Sequence, residues 1–250
     1  MNAAAKRSVD ILLVLAALFA AWQALYHVVG ETALTSPAQT LAYVGELLTT
    51  KGELFAGHAW ETGRAFLLAL ALSYAMGLAI GIWLGAHRLS GAVGEPILVA
   101  LYSLPKVTLY PVMLLVFGLG LSAKVAFGAI HGVVPVAIFA MNAIRHIKPA
   151  YLKAAKTMRL STRQTVMGVI VPATLPEIVT GLRVGFSLTL LGVIIGEMFA
   201  SKQGLGFMVI NAINLADVET MMSVAFLLFV AAAIANGILL WIDHWLHKRV

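Results

Sequence analysis

Six long apolar runs joined by polar connectors leave this chain few ways to fold. They lie at about 9–29, 59–86, 95–118, 123–144, 177–200 and 220–243, each at or above the ~20 residues that carry a helix across a bilayer. Backbone surrounded by lipid has to satisfy its own hydrogen bonds, and apolar runs of this length without alternation do so as helices. The expected fold class is therefore an all-α integral membrane protein, a single transmembrane domain over 1–250 with six transmembrane helices. Charged residues amount to only 11%, against ~25% in soluble domains. Cysteine is absent, which excludes disulfides and thiolate metal sites.

The basic balance, 17 Lys and Arg against 11 Asp and Glu, has to be mapped before it is assigned to a ligand. Six spans with both ends inside put Lys6, Arg7, Arg88, Arg145, Lys148, Lys153, Lys156, Arg159, Arg163, Lys248 and Arg249 on the cytoplasmic side, and Lys51, Lys124 and Lys202 outside. Eleven against three follows the positive-inside rule, so the charge reads as topology and makes no case for nucleic acid. Lys6 and Arg7 also suit the head of a cleavable signal peptide. The apolar run behind them is long for a signal core and lacks a clear small-x-small site, which favours a retained first span. The connector 31–58 is expected outside, with a short amphipathic helix over 38–50.

Several spans carry more than hydropathy. The second holds Ala69, Ser73, Gly77, Gly81 and Gly85 at four-residue spacing, a groove of small residues that lets another helix approach closely. Its partner is another span of this chain or a second subunit. In the third, Pro105 and Pro111 each remove a backbone donor and Lys106 sits near the middle. Broken backbone at membrane depth is tolerated where protein covers it or water reaches it, so Leu104, Pro105 and Lys106 are expected to face the bundle interior. The competing reading lays 95–103 along the interface and makes Lys106 a snorkelling side chain. His131 has no second His, Asp or Glu at ligand spacing, which favours a hydrogen-bonded structural histidine and no metal. Arg183 and Glu197 stand 14 residues apart, about 21 Å along a helix, and cannot pair with each other. Pro105, Lys106, His131, Arg183 and Glu197 are thus the candidates for a polar path through the membrane.

Between the fourth and fifth runs stands PAYLKAAKTMRLSTRQTVMGVIVPATLP, residues 149–176, a basic segment too long for a tight connector. Pro149 opens a first short helix. Ser161-Thr162-Arg163-Gln164 matches a capping box that starts a second, ended near Val171-Pro172, and Thr174-Leu175-Pro176-Glu177 offers another box for the fifth span. Two short helices at an angle, over 150–171, suit either anionic lipid head groups or a docking partner.

This segment resembles the cytoplasmic motif of bacterial ABC importer permeases: E-A-A, three residues, G, nine residues, I-x-L-P. Lys153-Ala154-Ala155, Arg159, Val169, Val171 and Pro172 stand at its positions, with Lys153 in place of the Glu and Arg159 in place of the Gly. Glycine there permits a left-handed backbone, so Arg159 implies an altered turn or modest strain. SPAQTLAYVGELLTTKGELFAGHAWETGRAFL, YSLPKVTLYPVMLLVFGLG and LPEIVTGLRVGFSLTLLGVIIGEMFASKQGLGFMV are similar to the nitrate, taurine and aliphatic-sulfonate branch.

The resemblance implies the type I ABC importer permease fold in a bacterial inner membrane, with both termini cytoplasmic. It implies a cytoplasmic ATPase that holds ATP and magnesium and docks on coupling helices in 150–171, through Lys153, Ala154, Ala155, Arg159, Leu160, Ser161, Val169 and Pro172. It also implies an extracytoplasmic solute-binding protein and a second permease chain, with a homodimer as the expected form. The cargo implied is a small organic or inorganic anion, with an aromatic acid or vitamin precursor as the alternative. The chain has no G-x-x-x-x-G-K-[ST] loop and no Gly-Lys pair, so no cofactor is expected on it and it is not read as an enzyme. Two other classes compete. An ion-driven secondary transporter would have to use the few membrane ionisable groups named above, and no clear inverted repeat accompanies them. A membrane enzyme would need paired carboxylates, H-E-x-x-H or G-x-S-x-G, none of which occurs.

Overall fold

The computed structural model describes residues 3–247. Lys248 and Arg249, counted above with the inner cations, lie outside the described residues, as do the side chains of Lys6 and Arg7. Among the described residues the order is α1 (Ala3–Val29), α2 (Pro37–Thr49), α3 (Gly52–Ala86), α4 (Arg88–Ser103), α5 (Tyr110–Phe117), α6 (Leu121–Arg145), α7 (Pro149–Thr157), α8 (Thr162–Thr165), α9 (Val171–Ala200), α10 (Leu205–Asn214) and α11 (Val218–His247). A 3-10 turn, Lys106–Leu109, precedes α5, and a π turn, Val166–Ile170, joins α8 to α9. Five helices, α1, α3, α6, α9 with its α8 extension, and α11, are long and apolar enough to cross a membrane; α4 with α5 supplies a sixth if the bent pair counts as one span.

α6 is the hub of the bundle. Its most apolar stretch is 67% buried, against 28% for α3 and none for α1 or α11. Lipid is as apolar as leucine, so association rests on close contact rather than on hydrophobic drive. The small-residue stripe of α3 meets α6 of the same chain. A Cβ added at Gly77 would lie 2.7 Å from Val136, and one at Gly81 2.5 Å from the Ala137 carbonyl oxygen. Ser73 donates to the Ala129 carbonyl at 3.2 Å and shares a 3.0 Å hydrogen bond with Thr189 of α9. Helices α3, α6 and α9 thereby form one tight layer on which the others lean.

Three expectations change. The connector before the third run is itself helical, since α4 begins at Arg88. The break expected in that run is present: its two helical parts meet at 87°, where Pro105 stands. The connector after the fifth run contains a further helix, α10, whose Met208 packs with Leu47 of α2 and Val224 of α11. In 149–176 the second helix does not stop at Pro172, and Thr174 caps nothing. Its Oγ1 donates to the Ile170 carbonyl at 2.9 Å, inside one helix that runs 38 residues from Thr162 to Phe199. A proline within a helix crowds the carbonyl four residues earlier, and the wider π turn just ahead of Pro172 makes room for it.

Gly81→Val should lower the stability of the detergent-solubilised protein by about 1–3 kcal/mol through overpacking against α6. Gly63→Ala, at a helical position with nothing within 4 Å of the added methyl, should leave it unchanged or raise it by up to about 1 kcal/mol. Thermal unfolding of the two variants checks the contrast.

Candidate functional site

At the α7 end of the bundle a short helix and a π turn face one another across an apolar groove of about 310 Å³. Of the residues singled out from the sequence motif, Ala154, Ala155, Leu160, Val169 and Pro172 line it, joined by Tyr151 and Met158. Ala155 is the floor, 3% exposed, and Met158 is the rim, 70% exposed. Lys153, Arg159 and Ser161 do not line the groove, and all three are exposed.

The turn between the two sides is not altered by its arginine. Arg159 adopts φ 52°, the left-handed conformation that glycine takes without strain. The Leu160 amide donates to the Ala155 carbonyl at 3.1 Å and the Arg159 amide to the Lys156 carbonyl at 3.0 Å, the paired bonds of a Schellman ending. Ser161 then caps α8: its Oγ accepts from the Gln164 amide at 3.3 Å while the Gln164 side chain accepts from the Ser161 amide at 2.9 Å. The groove is therefore rigidly built, and its strain is confined to one residue.

The opposite, α10 end is closed by a buried polar clasp. Glu197 of α9 is fully buried and Lys124 of α6 is 2% exposed, with Nζ 3.5 Å from Glu197 Oε1. The same carboxylate accepts from Thr62 Oγ1 of α3 at 2.8 Å and from the Gly206 amide of α10 at 3.0 Å. Thr62 in turn accepts from the Leu205 amide at 2.8 Å, and His58 Nδ1 from the Gly204 amide at 3.0 Å. Four helices are pinned at one carboxylate. Lys124 was placed in an outer loop from the sequence; the structure puts it inside the first turn of α6, paired. A lone acid in an apolar run signals a hidden cation, whereas nothing in the sequence marks Thr62.

The remaining path candidates lie apart from this clasp. His131 is buried, its Nδ1 2.9 Å from the Phe127 carbonyl, with its ring edge-on to Phe127. Pro105 is exposed at the α4–α5 bend. Beside it Lys106 donates to the Tyr102 carbonyl at 3.1 Å and lies 5.3 Å from the centre of the Tyr102 ring. Arg183 lies 3.9 Å from Asp243 of α11, and lines a cleft of about 320 Å³ together with Tyr102, Ser187 and Asn236. The structure thus brings Lys106 and Arg183 to one region, separates both from Glu197, and adds Asp243, Tyr102, Ser187 and Asn236, which the sequence reading missed. An acid near the inner end of an apolar run was the available signal for Asp243. Among the described residues no group of three or more His, Asp or Glu could hold a metal ion.

The bundle thus combines a broken span, polar side chains within apolar runs and an apolar groove at its α7 end. The chain belongs to the family of binding-protein-dependent transport system inner membrane components, whose model matches residues 77–250. An ABC transporter permease protein of Haemophilus influenzae is 30% identical over 207 residues, 83% of each chain. A Bacillus subtilis protein described as an aliphatic sulfonates transport permease is 30% identical over 80% of this chain and 73% of its own. Other relatives are named as permeases for taurine, formylaminopyrimidine, nitrate and bicarbonate. Among solved structures, the MetNI methionine ABC transporter in inward-facing conformations superposes with a TM-score of 0.68 at 19% identity, over 79% of this chain and 98% of that one. The fold is that of type I ABC importer permeases, and the chain is a non-catalytic permease subunit of the sulfonate, taurine and nitrate branch.

Two variants test the two ends. Arg159→Gly should stabilise the protein by about 1 kcal/mol, by relieving the left-handed arginine, read as a raised unfolding midpoint. Glu197→Ala should cost about 3–5 kcal/mol because it strands Lys124 in the interior. Adding Lys124→Met to that variant should recover part of the loss, and a double-mutant cycle measures how much.

Proposed function

We propose that this chain forms one half of the pathway of an ATP-driven importer for small anions, and that residues 150–171 receive the stroke of a separate ATPase. The groove at the α7 end carries the reading. Met158 and Met167 are 70% and 65% exposed on a segment that otherwise presents Lys153, Lys156, Arg159 and Arg163, and large apolar side chains gathered around a groove at the aqueous end of a membrane protein mark a protein contact. The groove wall that carries Val169 and Pro172 is part of the helix that continues as α9, so motion applied there passes into the bundle without a flexible joint.

In this reading the α7 end and both termini are cytoplasmic, as the Lys and Arg distribution favours. ATP and magnesium sit on the motor subunit, and a solute-binding protein delivers cargo at the α10 end. A second, identical permease chain completes the pathway. Nucleotide-driven closure moves the docked segments, and the membrane helices alternate between openings because docking is stronger in one motor state than in the other. The names of the sulfonate, taurine, nitrate and bicarbonate relatives support a small anion as cargo. The formylaminopyrimidine relative supports the second reading, an aromatic or vitamin-precursor cargo carried by the same mechanism.

Met158→Glu and Ala154→Glu, both at exposed groove positions, should cut retention of the ATPase by a tagged chain by about tenfold or more with unchanged yield, since each buries a charge in the contact. Ala155 is less diagnostic because it is buried within the turn itself. Full retention by both exposed variants would remove the groove from the motor interface.

A further inference from the structure

The cleft at Arg183 contains an arrangement that hydropathy alone does not require. Its six lining residues are Tyr102 of α4, Arg183, Val184, Ser187 and Leu188 of α9, and Asn236 of α11. Four of the six carry polar side chains, in runs that are otherwise apolar. Polar and ionisable side chains at membrane depth face water or protein rather than lipid. The cleft is therefore a polar recess within the bundle.

Arg183 is the charged residue of the lining, Lys106 is bonded to the carbonyl of Tyr102, which also lines it, and Asp243 lies beside Arg183. The contact between Arg183 and Asp243 is long, 3.9 Å. Asp243 has another donor, since Thr180 Oγ1 donates to its Oδ1 at 3.1 Å. A cation withdrawn from bulk water needs a counter-charge in every state. The planar guanidinium suits a carboxylate or an oxyanion equally well, because both present paired oxygens to its fork of donors.

We infer that Arg183 is a way-station for the transported anion, and that Asp243 is its resident substitute: the carboxylate holds Arg183 when the cleft is empty and yields it to the cargo's oxygens as the anion passes. Ser187 and Asn236 supply further donors to the same anion, and Lys106 adds the second positive charge at the Tyr102 side. Releasing the cargo toward the cytoplasm lets Asp243 re-engage, so the anion leaves a site whose charge is already satisfied. The exchange involves no covalent step. This inference rests on the importer reading for the direction of travel, while the site itself is defined by the residues of this chain.

The test uses the permease in complex with its ATPase, in detergent or nanodiscs. Methanesulfonate, nitrate and bicarbonate are titrated as probes, with dimethyl sulfone as the neutral isostere of methanesulfonate, and apparent affinity is read from the shift in unfolding midpoint. Arg183→Gln should weaken the anions by about tenfold or more, the loss expected for a charge-assisted contact, and should not affect dimethyl sulfone. Arg183→Lys should restore part of the anion preference. Asp243→Asn removes the internal competitor and should tighten anions by about tenfold. Equal anion affinity in wild type, Arg183→Gln and Asp243→Asn, or no anion-dependent shift in either wild type or Asp243→Asn, would overturn the inference. Retention of the ATPase is scored on the same samples: its loss from the wild type would sink the importer reading whatever the anions do, and its presence alongside flat titrations would sink only the Arg183 site.

Discussion

The structure depends on how closely helix backbones approach one another where lipid offers no hydrophobic drive. Small residues on α3 and α6 remove the side-chain layer that usually keeps helices ~8–10 Å apart. Gly128 lies against Val193 of α9 and Ala69 of α3, and Gly132 against Thr189 and Ser73, so α6 receives both neighbours at the same level. The polar groups caught in this layer are used up there: the Ser73 and Thr189 hydroxyls bond to each other, and Ser73 also donates to the Ala129 carbonyl of α6. With α3, α6 and α9 fixed as a unit, the broken α4–α5 segment and the peripheral α1 and α11 can differ in exposure without loosening the core.

Electrostatics then distinguishes three regions of the same bundle. At the α10 end, Glu197 and Lys124 are fully withdrawn from solvent and surrounded by hydrogen-bond partners, the condition under which a buried ion pair is tolerated and fixes one arrangement of the elements it joins. Arg183 and Asp243, by contrast, are only partly buried, 23% and 12% exposed at the side chain, and their contact is long. At the α7 end the charges surround an apolar groove. The two ion pairs thus differ mainly in burial, while the α7 end presents an exposed basic rim.

Much of the fold was legible because the membrane restricts the choices. Length and apolarity alone marked the long helices, and the spacing of Ser73, Gly77, Gly81 and Gly85 marked a close-packed face. The sequence could not say which helix that face meets, because small residues permit an approach without selecting the partner. Pro105 marked the break in the third span but not its 87° angle, which depends on how α5 packs on α6. The groove was legible through Ala154, Ala155 and Pro172. The continuity of α8 with α9 was not, because Pro172 and the serine and threonine hydroxyls read locally as stops and caps. A π turn that absorbs a proline has no short-range signature. The clasp and the cleft were half-visible: each showed one charged residue in an apolar run, while its partner stood dozens of residues away in sequence.

In the proposed importer the 38-residue helix, held at one end by the Glu197 clasp and forming a wall of the groove at the other, has the proportions of a lever. Glu197 acts as the fulcrum. At ~1.5 Å per residue, Gln164 stands about 50 Å from that fulcrum and Arg183 about 21 Å. A swing of about 5° that carries the docked end about 4 Å moves Arg183 about 2 Å, on the same helical rise. On that proposal the lever would exchange distance for force, with a mechanical advantage of a little over two at the level of the Arg183–Asp243 contact.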